Sequence, residues 1–375
     1  MKSRSGIVFE HGLERPYQKS KPIKIVDTKL DKISSDEVIV QIKASGLCHS
    51  DLAVISGKRP RKLPIALGHE AAGIIIEKGE DVTEFDVGDH VICSFVPSCG
   101  KCDYCKQGMP SQCQLGNKAG QEGTLLSGKR KINYENEYIY HHSGVSAFSE
   151  YSVLSKHSLV KIDKDIPFEV AAIFGCAVIT GVGSVLNTAK IETGSTVGII
   201  GLGGVGLSAL LGAKVAGARE IVVFDINDEK LKFAEELGAT HVCNVNNEEQ
   251  LEIVKDEFFQ SLDYTFETAG SNQTFDFIYE FTKPRGTLVT TSLPHPENKI
   301  NISHFNLTFQ EKTLKGSYIG GSIFSIDIPK YLDLYRQGIL PVDKLISHTI
   351  KFEDINRGFD LLADGEAMRV VIIFD

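Results

Sequence analysis

Four cysteines crowd into fifteen residues as Cys99-x2-Cys102-x2-Cys105-x7-Cys113, with Gly100 and Gly108 easing the bends between them. Thiolates at that spacing on a short, turn-rich loop can close a tetrahedron around zinc. Four protein ligands leave no open coordination position, so such a metal would hold the loop folded rather than do chemistry. An iron–sulfur cluster and unligated thiols are the alternatives. The run loosely resembles a ferredoxin spacing, yet no proline follows Cys113 and no second cluster pattern is evident. Zinc is the preferred reading. Other ligand-type residues are scattered: Cys48 with His49, His69 with Glu70, and Cys176. Gaps of 21 and 107 positions between Cys48, His69 and Cys176 cannot be joined by spacing. Taken singly, each reads as a buried thiol or a satisfied core histidine.

A second pattern, Gly201-Leu202-Gly203-Gly204-Val205-Gly206, fits the G-x-G-x-x-G turn that cradles a dinucleotide pyrophosphate. An apolar stretch precedes it and a helix signal follows. Asp225, nineteen positions past Gly206, ends the next strand signal, where a carboxylate can accept hydrogen bonds from both adenosine ribose hydroxyls. The alternative is a tight strand-to-helix turn without a ligand. A 2′-phosphate beside Asp225 would be repelled, and Ile226-Asn227 offers no arginine to receive it. NAD is therefore expected over NADP. Lys230 is a candidate ribose contact, with a solvated helix lysine as the plain reading.

The elements that must position these groups fall into two textures. The first ~175 residues read as β-rich, with β-branched runs at 37–42, 73–76 and 88–93 bounded by turn formers. From about Val178 strands alternate with helices: strand 197–200, helix 205–215, strand 220–224, a helix capped at Asn227 or Asp228 and closed by Gly238, and strand 241–245. Helix 248–259, strand 262–266, helix 271–281 and strand 287–291 complete the series. Alternation of this kind means a parallel sheet covered on both faces, an α/β fold. Helices at 330–337 and 354–363 and a strand at 369–374 return to mixed structure.

Composition narrows the classes. At 375 residues the chain exceeds one ordinary core, which predicts two domains. Hydrophobic residues make up 42% and charged residues 24%, a globular mix. A net charge of −9 disfavours nucleic acid as a partner, since phosphate binding needs a basic field. The stretch from Thr193 to Ala213 is uncharged and long enough to span a bilayer, but its glycines favour a buried strand, turn and helix. No membrane partner is expected. With no signal-peptide pattern at Met1–Gly6, the eight cysteines read as reduced thiols of a cytoplasmic protein.

Gly46-Leu47-Cys48-His49-Ser50-Asp51, Gly68-His69-Glu70-Ala71-Ala72-Gly73, the four-cysteine lobe, Gly175-Cys176 and Gly201–Gly206 occur in that order. Together they resemble the zinc-containing medium-chain alcohol dehydrogenases over essentially the whole chain. The nearest branch holds liver-type, glutathione-dependent formaldehyde and aryl-alcohol dehydrogenases. The resemblance implies a GroES-like catalytic domain over 1–177 and 321–375, and a Rossmann NAD-binding domain over 178–320. It implies catalytic zinc ligands at Cys48, His69 and Cys176, with Glu70 behind the metal and Asp51 holding the other ring nitrogen of His69. Ser50 would take the alcohol proton. His49 and Arg369 would contact the pyrophosphate, Thr180, Ser317 and Ile319 would lie near the nicotinamide, and Phe95 would line the alcohol site or serve as a plain core aromatic. Two zincs and one NAD per chain, and a small alcohol or aldehyde substrate, follow from the same resemblance.

Two departures qualify it. Ala53 stands where many relatives carry a histidine that passes the proton to solvent, so the relay ends otherwise here. Glutathione-dependent relatives carry an arginine shortly after the fourth lobe cysteine, but Gln114-Leu115-Gly116-Asn117 contains none. The basic run Lys58-Arg59-Pro60-Arg61-Lys62 reads as a solvated loop, with anion docking as the alternative. The leading expectation is an NAD-dependent oxidoreductase of primary alcohols, aromatic ones included. Glutathione-dependent formaldehyde oxidation ranks below it, as do a zinc-free reductase, which the ligand set disfavours, and a non-catalytic NAD sensor with structural zinc. The resemblance implies a homodimer joined through 299–316, with a tetramer as the alternative, and Cys93 and Cys243 are left as buried thiols.

Overall fold

A computed structural model describes residues 1–375. The chain forms two compact units, 1–176 with 323–329 and 346–375, and 177–322 with 330–345.

The first unit is β-rich. Five short strands close a barrel, and seven more form a sheet in the order Leu159–Ile162, His90–Cys93, Glu70–Lys78, Glu37–Gly46, Val370–Ile373 and His348–Lys351, with Tyr151–Ser155 also on Glu37–Gly46. Both central strands run longer than their β-branched runs predict, and the extensions matter most. Antiparallel register pairs Gly46 with Glu70 and Ser45 with Ala71. That pairing closes the 21-residue gap between Cys48 and His69. On the other side Val371 pairs with Gly46 and Ile372 with Ser45, so the C-terminal strand delivers Arg369 to the same place. A core of Leu47, Val54, Ile75, Phe148, Phe359 and Val370 locks these strands down, with Phe148 and Phe359 edge-to-face at 5.8 Å.

The second unit is a six-stranded parallel sheet in the order His241–Asn244, Glu220–Asp225, Thr196–Ile200, Leu262–Glu267, Thr282–Thr290 and Thr313–Gly316. Strand order reverses at Thr196–Ile200, the point where doubly wound sheets open a crevice for ligands. Local signals set the helices: the Asn227 side chain accepts from Glu229 N and Lys230 N at 2.9 and 3.2 Å, and Gly238 closes that helix at φ 110°. Ser271 and Thr274 form a reciprocal capping box on helix Asn272–Phe281.

Two features differ from the sequence reading. Residues 330–345 group with the second unit, where Leu332, Leu340, Val342 and Leu345 are buried and 342–345 packs on helix Gly204–Val215. The helix expected from Lys330 begins at Phe324, because Asp327 Oδ2 accepts from Ile323 N at 2.8 Å and caps an earlier start. The uncharged 193–213 stretch is a buried strand, glycine turn and helix, as read. The helical run long and apolar enough to cross a membrane is instead Phe168–Ala189, and it is mostly buried inside the fold.

Candidate active site

Cys48 lies just past Gly46, at the N-cap of helix His49–Ile55, and its Sγ accepts from Ser50 N at 3.5 Å. His69 follows Gly68, whose φ of 91° turns the chain into strand Glu70–Lys78. Cys176 comes from a π-helical turn, Phe174–Val178, inside the long apolar helix. Such turns carry one extra residue and are frequent at functional sites. Two flanking glycines are closely approached: a Cβ on Gly46 would crowd the Glu70 carboxylate, and one on Gly175 would lie 3.0 Å from Cys93 O.

The ligand atoms of Cys48, His69, Glu70 and Cys176 all lie within 4.8 Å of one another, in the buried interior. Pairing with the Cys176 thiol, aided by His69, draws Cys48 well below the ordinary thiol range, while that pairing and burial push Cys176 up. Burial works against a charged His69, yet Asp51 and Cys48 outweigh it and hold its pKa well above the ordinary value. Burial lifts Glu70 to about 8 against the pull of Arg369. His69 Nε2 and Glu70 Oε2 have no hydrogen-bond partner. A buried cluster of acid groups that hold on to their protons, with His69 Nε2 left without a partner, fits a cation that would displace those protons, and two sulfurs with one nitrogen fit zinc.

Behind the cluster, Asp51 Oδ2 lies 3.0 Å from His69 Nδ1. Burial disfavours the Asp51 carboxylate, but His69 and His142 overcome it and keep its pKa below the usual range. Arg369, 3% exposed, pairs with Glu70 and donates to Leu47 O at 3.3 Å. Phe95 meets His69 edge-on at 5.0 Å and Phe324 at 6.2 Å. Ser50 is half-buried beside Cys48, and His49 is exposed.

The four-cysteine lobe is assembled as its spacing predicts. Its sulfurs lie within 4.8 Å of one another and none is in a disulfide. Backbone N–H groups of Cys99 and Gly116 point at Cys113 Sγ at 3.2 and 3.4 Å, and Cys102 N at Cys99 Sγ at 3.4 Å. Hydrogen bonds from the Cys105 and Gln114 backbones bring Cys102 down to about 6, whereas burial and its neighbour push Cys105 up to about 12. A divalent ion would displace the protons that these crowded sulfurs still hold.

In the second unit, Gly201 turns at φ 91° and helix Gly204–Val215 starts without any side-chain cap. Its open N–H groups suit an anionic pyrophosphate. Asp225 Oδ2 accepts from Leu202 N at 2.6 Å, and Oδ1 from Ile226 N and Asn227 N at 2.8 and 3.0 Å. The carboxylate thus ties its strand end to the glycine turn. Thr180, Ser317 and Ile319 are buried in the same unit, Ser317 Oγ 2.8 Å from Thr188 Oγ1, and Lys230 is half-buried on its helix. Sequence reasoning passed over His142, which the fold brings 3.0 Å from Asp51 Oδ1. The adjacent pair His141-His142 was its only signal.

Comparison with known proteins agrees with this architecture. A GroES-like alcohol dehydrogenase domain profile matches residues 34–164, and a zinc-binding dehydrogenase profile matches 204–337. An S-(hydroxymethyl)glutathione dehydrogenase of Paracoccus denitrificans is 34% identical over 100% of both chains. A class-3 alcohol dehydrogenase of Drosophila melanogaster is 36% identical over 95% of each. The crystal structure of benzyl alcohol dehydrogenase from Acinetobacter calcoaceticus superposes with a TM-score of 0.92 at 30% identity, covering 100% of both chains.

Proposed function

Because the chain belongs to the zinc-containing alcohol dehydrogenase family, and is an oxidoreductase that uses zinc and a nicotinamide cofactor, we propose that it oxidises primary alcohols, aromatic ones included, with NAD. The observation that carries the reading is the buried Cys48–His69–Cys176 cluster with Phe95 edge-on against His69. When bound, zinc would act as a Lewis acid on the alcohol oxygen and the nicotinamide would accept hydride from its carbon. Cys48, His69 Nε2 and Cys176 would hold that metal, and Asp51 would keep His69 turned towards it. Ser50, in the first turn of helix His49–Ile55, would take the proton that the alcohol hydroxyl loses. Asp225 supports NAD over NADP, because its carboxylate would repel a 2′-phosphate. Gly201–Gly206 with the uncapped helix would seat the pyrophosphate, helped by His49 and Arg369. Thr180, Ser317 and Ile319 would lie by the nicotinamide ring, and Lys230 by the ribose. A cytoplasmic homodimer completes the proposal, supported by eight free cysteines and by the bare edge strand Thr313–Gly316.

A second reading, oxidation of S-(hydroxymethyl)glutathione, is favoured by the names of the two relatives from Paracoccus denitrificans and Synechocystis. Against it stands Gln114–Asn117, the first turn of helix Gln114–Glu122, without an arginine. One assay decides: two zincs per chain, and kcat/KM for benzyl alcohol exceeding that for S-(hydroxymethyl)glutathione with NAD. The opposite order would install the second reading, and one zinc without turnover would leave a sensor. In the same assay Ser50→Ala should lower kcat by roughly 10²–10⁴-fold with both zincs retained, the range for general acid–base groups. Near-normal turnover would remove Ser50 from the mechanism.

A further inference from the structure

A carboxylate only accepts hydrogen bonds, so everything that touches Asp51 with an N–H must donate. Three such groups converge on it: Gly68 N donates to Oδ1 at 3.2 Å, and His69 Nδ1 and His142 Nδ1 stand at ion-pair distance, each 3.0 Å from Oδ2 and Oδ1 respectively, off the ideal hydrogen-bond line. Both rings must therefore carry a proton on Nδ1, which leaves Nε2 as the atom that His69 presents to Cys48 and Cys176. His142 is itself pinned. Its backbone N donates to Ser146 Oγ at 3.1 Å, and the loop beyond it is wound tightly, with φ of 54° at Ser143, 69° at Gly144 and 53° at Ser146. His142 is 3% exposed, and its ring meets the His69 ring edge-on at 5.4 Å. A second ion among Asp51, His69 and His142 is disfavoured, since His69 would have to surrender its Nδ1 proton and ligate through both nitrogens.

We infer that His142 is a positioning residue for the catalytic metal: by donating to Asp51 it fixes the carboxylate that fixes His69. Without His142 one Asp51 oxygen keeps only the Gly68 N–H, the carboxylate is free to turn, and the His69 ring loses its set orientation. Loss of partners of this outer kind typically costs about 10–100-fold in metal affinity.

The inference rests on reading Cys48, His69 and Cys176 as a metal site, and the test separates the two. The zinc-loaded protein is challenged with a chelator, release of each zinc is followed with a metallochromic dye, and the visible d–d bands of a cobalt-substituted sample are recorded. His142→Phe should release one zinc roughly 10–100-fold faster, leave the lobe zinc unchanged and shift the cobalt bands. His142→Asn places an N–H near the Nδ1 position and should restore release to within about threefold of wild type. Unchanged release and bands in His142→Phe would overturn the inference while the metal site stood. A wild-type chain carrying one zinc would remove both. Should His142→Phe fail to fold, His142→Gln against His142→Asn carries the test, because the Gln amide reaches one bond too far: equal release from the two overturns the inference, and faster release from Gln supports it.

Discussion

His141 and His142 are neighbours in sequence and opposite in chemistry. His142 faces an acid, whereas His141 is buried with Nε2 accepting from Lys131 N at 3.1 Å and Nδ1 3.2 Å from Ser146 Oγ. Burial pulls the His141 pKa down to about 4; Glu37 opposes that shift, and Arg130 and Lys131 add to it. The folded chain therefore keeps His141 neutral at pH values where an unfolded histidine already binds a proton. Its contribution to stability is fully present above pH ~6.5 and is lost as pH falls towards ~4. Between pH 7 and pH 5 the difference amounts to about 2 kcal/mol. Urea unfolding at the two pH values should show wild type losing about that much more than His141→Gln; equal losses would mean that His141 titrates normally in the fold.

At the scale of elements, two glycines of the dinucleotide turn do different jobs. A Cβ on Gly206 would lie 1.9 Å from Gly201 O and 2.8 Å from Thr268 Oγ1, so the helix can approach its strand only without a side chain. A Cβ on Gly203 would meet nothing within 4 Å, which is the space a pyrophosphate would take. Gly206→Ala should cost stability, by about 1–3 kcal/mol as for overpacking, and weaken NAD as well. Gly203→Ala should leave the melting temperature of the cofactor-free protein unchanged and raise the KM for NAD about tenfold or more, the equivalent of ~1.4 kcal/mol. Equal melting temperatures for both variants would sink the distinction. This turn and the cysteine lobe were legible in the sequence because each is local, its residues held together by a few chain bonds. The catalytic cluster was not, since it depends on Gly46 pairing with Glu70 and on a π-helical turn at Cys176, and neither register nor π-turns leave a periodic trace. Resemblance supplied the ligand set that spacing could not. His142 escaped both routes, because only the closed loop at 143–146 shows that it points at Asp51.

For the whole molecule, the second sheet ends on a strand that nothing covers with a further strand. Thr313–Gly316 pairs with Thr282–Thr290 on one side and has no strand on the other. Just before it in the chain, helix His304–Phe309 holds Phe305 and Phe309 71% and 75% exposed, their rings stacked at 5.5 Å, with Ile300 and Leu293 also exposed. A bare parallel edge and an exposed pair of stacked aromatic rings are each a hazard for a lone chain, because edges template further pairing and apolar patches associate. A second copy meeting it about a two-fold axis would cover both at once, which is the homodimer proposed above. Light scattering should give twice the chain mass for wild type at micromolar concentration. Phe305→Glu combined with Phe309→Glu places like charges at that seam and should give the mass of one chain, with the zinc content of the lobe unchanged. A double variant that kept twice the chain mass would move the interface elsewhere, and the exposed rings would then need another partner.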